Sequence, residues 1–129
     1  MSNGKEVLDE LRGPALRLRE QIPEVWGAYA RLHAAAMGEG RLDVKTKELV
    51  ALAISVTRQC DGCIASHARG AARAGATPEE VAEALGVAVM MNGGPGTVYG
   101  PRAFDAFMEF QQGRTADPAA PAAPAHDHG

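Results

Sequence analysis

Alanine runs through nearly every segment from residue 15 to residue 106, while the alternating β-branched pattern of a strand is almost absent. Alanine has the highest intrinsic helix propensity, and the larger apolar residues recur at spacings of three and four, so the chain is predicted to be all-α. Its 129 residues correspond to one domain. The same alanines limit the interior: apolar residues make up 46% of the chain, but 25 of them are alanine and only 5% of residues are aromatic. Each alanine buries far less area than a leucine at ~25 cal/mol per Å², so a lone copy has a thin core and a homo-oligomer with closed symmetry is expected.

The pattern gives about six helices. The first, over roughly Val7 to Leu18, is read as interrupted by Gly13 and Pro14. A second starts with Pro23 in its first turn and runs to about Met37, with Trp26, Tyr29, Ala30, His33 and Met37 on one side. Within that stripe His33 reads as a packed histidine. Asp43 caps a third helix, whose Leu49, Leu52, Ala53 and Val56, with Val50 and Ile54 beside them, make it the one expected to be most buried. A fourth begins near Cys60 and ends at Gly75. Thr77, Pro78 and Glu80 then supply an N-cap, a first-turn proline and the acid of a capping box for a fifth, which runs to about Met91. After Asn92-Gly93-Gly94-Pro95-Gly96, a last helix over about Thr97 to Gln112 carries Tyr99, Ala103, Ala106, Phe107 and Phe110 on one face. Its second apolar face, Phe104 with Met108, or else the opposite face, is expected to meet another subunit. The domain is placed at residues 1–113. Residues 114–129, rich in Ala and Pro and holding His126 and His128, are expected to be a disordered tail.

Several functions are excluded. A net charge of −3 provides no basic field for a nucleic acid. The longest apolar run, Leu49 to Ile54, is far short of the ~20 residues that span a bilayer. Charges fill Met1 to Arg12 where a secretory signal needs an apolar stretch, so a cytoplasmic location is expected, with the cysteines reduced at rest.

There are two cysteines, Cys60 and Cys63, and they form a C-x-x-C. On a helix Cys60, Cys63 and His67 fall on one stripe. The thiols lie in the first turn, where unpaired backbone N–H groups and the positive end of the helix dipole favour the thiolate. His67, one turn beyond Cys63, is placed to take the thiol proton. Glu48, on the preceding helix, reaches the imidazole if the two helices pack antiparallel. Zinc is an alternative reading of the same four residues, although three ligands on one stripe suit a tetrahedron poorly, and neither metal nor cofactor is expected.

The spacing Glu48, eleven residues, Cys60, two residues, Cys63, three residues, His67 resembles the E-x(11)-C-x(2)-C-x(3)-H signature of AhpD-like proteins in the carboxymuconolactone decarboxylase superfamily. Flanking stretches agree, from Thr46 to Ala53 before the cysteines and from Pro78 to Ala84 after them, and the likeness covers roughly Glu24 to Phe110. The resemblance implies an AhpD-like helical bundle assembling as dimers, trimers or hexamers. It also implies a thiol peroxidase or disulfide oxidoreductase, with Cys63 attacking the hydroperoxide, Cys60 resolving it, and Glu48 and His67 as proton relay. A protein dithiol would re-reduce the pair. One departure is Gly62, where AhpD has a histidine; Asp61 adds a carboxylate that opposes thiolate formation. Two other readings stay open: a lactone decarboxylase, although typical members lack the paired cysteines, and a non-catalytic dithiol redox sensor.

Overall fold

The computed structural model describes residues 4–116. They form six α-helices: α1 (Gly4–Gln21), α2 (Pro23–Met37), α3 (Val44–Thr57), α4 (Asp61–Arg73), α5 (Pro78–Asn92) and α6 (Gly94–Ala116). No strand occurs among the described residues.

Local signals explain most boundaries. The Asp43 side chain accepts from Thr46 N–H at 2.8 Å and opens α3. At α5 the capping box is reciprocal: Thr77 Oγ1 accepts from Glu80 N–H at 3.1 Å, and Thr77 N–H donates to Glu80 Oε1 at 2.9 Å. Helices α3 and α4 both close with the same pair of backbone bonds. Cys60 N–H donates to Ser55 O and Gln59 N–H to Val56 O, as Ala76 N–H does to Ala71 O and Gly75 N–H to Ala72 O. This closure needs a residue at positive φ. Gly75 supplies it at +85° after α4, but after α3 Gln59 stands there at +51°, immediately before Cys60.

Three expectations about the helices change. Helix α1 runs unbroken through Gly13 and Pro14. The carbonyl that Pro14 deprives of a donor belongs to Glu10, and both residues are exposed, so the missing bond falls on the side of the helix that faces solvent. Helix α4, not α3, is the most buried, packing against α1, α3 and α6. Val50 and Ile54 of α3 point outward. Helix α6 begins three residues early and continues past Gln112 to Ala116, because Gly93 alone separates it from α5. The boundary expected at residue 113 thus falls inside α6, and the tail from residue 117 lies outside the described residues.

The core gathers Leu52 and Val56 of α3, Ile64, Ala68, Ala71 and Ala72 of α4, Val81, Leu85 and Ala88 of α5, and Ala103, Ala106 and Phe107 of α6. Alanine at so many contacts lets the helix axes approach closely, and Phe107 is the largest side chain wholly enclosed. Phe104 and Met108 pack against this core within the chain. The uncovered apolar surface is elsewhere. On α2, Val25, Tyr29 and Leu32 are all more than 60% exposed, and only Met37 of that helix is buried. Lys47 ties the end of α2 to α3 by donating to Ala36 O at 2.9 Å and to Gly38 O.

Candidate functional site

The site sits where α3 hands over to α4. Cys60 is the N-cap of α4, a position usually held by an oxygen side chain, and its Sγ accepts from the Cys63 N–H at 3.2 Å. Cys60 and Cys63 are joined as a disulfide, so the two sulfurs are placed to form the oxidised pair. Cys63 is exposed and Cys60 half-buried.

Seven residues into α4, His67 turns its Nδ1 toward Glu48 Oε2 of α3, at 3.2 Å. The antiparallel packing that this bond requires is present, and it brings together two residues 19 apart in sequence. Glu48 is only 2% exposed and His67 18%. As a carboxylate Glu48 only accepts, so the bond places the ring proton on Nδ1 and leaves the Nε2 lone pair of neutral His67 as the base.

Two glycines shape the surroundings. A Cβ at residue 70 would stand inside the Glu48 carboxylate, meeting both oxygens and the carbon between them. Gly70 is therefore what lets Glu48 lie against α4, one turn below His67. At Gly62 a Cβ would come within 3.0 Å of Leu11 Cδ1, so α1 covers the position between the cysteines. Asp61, the other residue between them, faces a countercharge, with Arg102 Nη1 of α6 at 3.9 Å from its Oδ1. The Arg102 guanidinium lies over the Tyr99 ring at 4.9 Å.

All four residues singled out from the sequence lie at this junction, in two bonded pairs: Cys60 with Cys63, and Glu48 with His67. Sequence reasoning missed two neighbours. Gly70 gave only the weak signal of a glycine inside a helical pattern. His33, read as a packed histidine, lies on α2 with its ring parallel to that of His67 within 4°, at a centroid distance of 5.9 Å. Tyr29 is next along α2, its ring 6.2 Å from that of His33.

Residues 23–106 match the carboxymuconolactone decarboxylase family model. The chain belongs to the carboxymuconolactone decarboxylase family. Its fold is similar to the crystal structure of apo-lpg0406, a carboxymuconolactone decarboxylase family protein from Legionella pneumophila, with a TM-score of 0.81 and 39% identity over 84% of this chain and 96% of that one. An uncharacterized protein from Cupriavidus necator is 35% identical over 103 residues, covering 80% of this chain and 91% of its own length. Uncharacterized protein 4 in the cox locus of Paracoccus denitrificans is 42% identical over 67 residues, covering 52% of this chain and 60% of its own. The family includes enzymes, and the disulfide-linked C-x-x-C of this member fits a redox role.

Proposed function

We propose that the protein is a thiol-dependent peroxidase of the AhpD-like kind, in which Cys63 attacks a hydroperoxide and Cys60 resolves the product. The observation that carries the reading is the disulfide-forming pair at the start of α4 with a hydrogen-bonded carboxylate and imidazole one turn further on. The Cys63 thiolate attacks one peroxide oxygen, the O–O bond breaks, and a sulfenic acid and an alcohol result. The thiol proton travels by His67 to the leaving oxygen. Cys60, whose sulfur accepts from the Cys63 N–H at the start of α4, then displaces water and closes the disulfide. A dithiol donor returns the pair to two thiols and leaves as a disulfide.

Disulfide exchange uses the same pair, and the exposure of Cys63 favours it as the sulfur that a donor thiolate reaches. Glu48 orients His67 through the bond to its Nδ1. Assembly belongs to the proposal: Val25, Tyr29 and Leu32 of α2 and Val50 and Ile54 of α3 expose more apolar side chains than a monomer gains from, and a second copy of the chain is the partner that covers them. The test of the activity is steady-state consumption of hydroperoxide in the presence of a small dithiol. Turnover that disappears in Cys63→Ser supports the reading; a parent protein no faster than the dithiol alone overturns it.

A further inference from the structure

Four side chains from three helices lie in a row of increasing exposure. Glu48 of α3 is sealed at 2%, His67 of α4 is at 18%, His33 of α2 is half-buried, and Tyr29 of α2 is open at 63%. A proton that reaches His67 therefore meets a closed end on the Glu48 side, where Gly70 brings α4 against the carboxylate. On the other side stands the parallel ring of His33, offset rather than face to face at 5.9 Å. Each oxidation under the proposed function removes protons from two thiols and delivers protons to two oxygens, one in the alcohol and one in water. Within each step His67 takes up a thiol proton and gives it up again, but forming a thiolate ahead of the substrate requires that proton to leave the ring for solvent.

We propose that His33 is a positioning and proton-exchange residue that acts through His67, passing protons between its ring and solvent across a bridging water. Of the ordinary side chains imidazole is the one that accepts and releases protons near neutral pH, and with the two ring planes parallel a proton passes between them by way of a water bonded to both. The Tyr29 ring stands 6.2 Å from that of His33 on the α2 side, and Glu48 of α3 bonds His67. Glu48, bonded to His67 at 3.2 Å, fixes that ring in place alongside the ring of His33. His33, nearer the open end of the row, is the ring from which the proton departs. This inference rests on the proposed function only in taking Cys63 as the sulfur whose proton His67 receives.

The test is chemical rescue. Reduced protein is oxidised with hydrogen peroxide and, separately, with a small aromatic disulfide, whose reaction draws on the same thiol proton without needing peroxidase chemistry. His33→Ala is expected to slow both reactions about tenfold, a small share of the effect positioned acid–base groups have. Added imidazole should restore most of the rate in His33→Ala and leave the parent unchanged. His33→Phe, which keeps a flat ring of similar size, should show the loss without the rescue. If His33→Phe reacts at the parent rate, or if imidazole restores neither reaction in His33→Ala, the residue only packs and the inference is overturned. A parent that ignores peroxide while the rescue holds in disulfide exchange would refute the peroxidase reading and leave His33 in its role.

Discussion

The carboxylate of Glu48 occupies the space that a side chain on Gly70 would need, so the buried acid of α3 and the glycine of α4 are a fitted pair. Gly70→Ala is expected to cost about 1–3 kcal/mol of stability, as overpacking in a core does, and to drive Glu48 off His67. Denaturant unfolding reads the first effect and the rate of thiol oxidation the second. In Glu48→Ala the same alanine at residue 70 should cost much less, a non-additivity that a double-mutant cycle measures.

Removing either member of the Glu48–His67 bond has a different signature. His67→Ala takes away the base and leaves a carboxylate that is 2% exposed without its partner. A rate loss of roughly 10²-fold and a stability loss of ~1–3 kcal/mol are expected together. Glu48→Gln keeps shape and hydrogen bonding but not charge, so it should slow oxidation with little change in unfolding. Stopped-flow oxidation and thermal melts on the two variants separate these outcomes.

Gly62 is explained by α1. On the family pattern alone a histidine there completes the relay and Gly62→His should raise turnover. With Leu11 Cδ1 only 3.0 Å from the nearest atom that such a side chain adds, the Leu11 side chain has to give way before a histidine fits there. No gain in turnover is expected from Gly62→His in the parent, and a gain is expected once Leu11→Ala has cleared the space.

Surface charge contributes to acid sensitivity. The Lys45 ammonium, bonded to Glu80 at 2.9 Å, and then the Thr77 backbone N–H hold the Glu80 carboxyl below its usual value of 4.5. The Thr46 bonds likewise hold Asp43 below 3.8. A carboxyl lowered in the folded state contributes stability above its unfolded pKa and loses it as pH falls through the folded one. The melting temperature should therefore drop as the solution is acidified from about pH 4.5 downward, and Glu80→Gln should flatten part of that drop while lowering the plateau at neutral pH. Both groups are at the surface, so the effect is small and weakens with salt.

Much of this was legible in the chain. Helix starts at Asp43 and Thr77 announce themselves because each cap is a bond between residues three apart, a relation that sequence preserves. The spacing from Glu48 to His67 carried the site for a related reason: two helices joined by a three-residue turn can bring those positions together in few ways. What sequence hid is tertiary. The uninterrupted course of α1 depends on which side of the helix faces water at Pro14. The stacking of His33 on His67 and the exposure of Tyr29 depend on how α2 lies across the bundle. The space at Gly70 exists only once α3 has packed against α4.

The central claim is that Cys63 is the attacking sulfur of a two-cysteine peroxidase, and a stoichiometric peroxide titration with thiol counting tests it directly. Reduced protein should lose two thiols per hydrogen peroxide added, Cys60→Ser should stop at one sulfenic acid on Cys63, and Cys63→Ser should react no faster than a free cysteine. A sulfenic acid forming on Cys60 at the parent rate in Cys63→Ser would contradict the account.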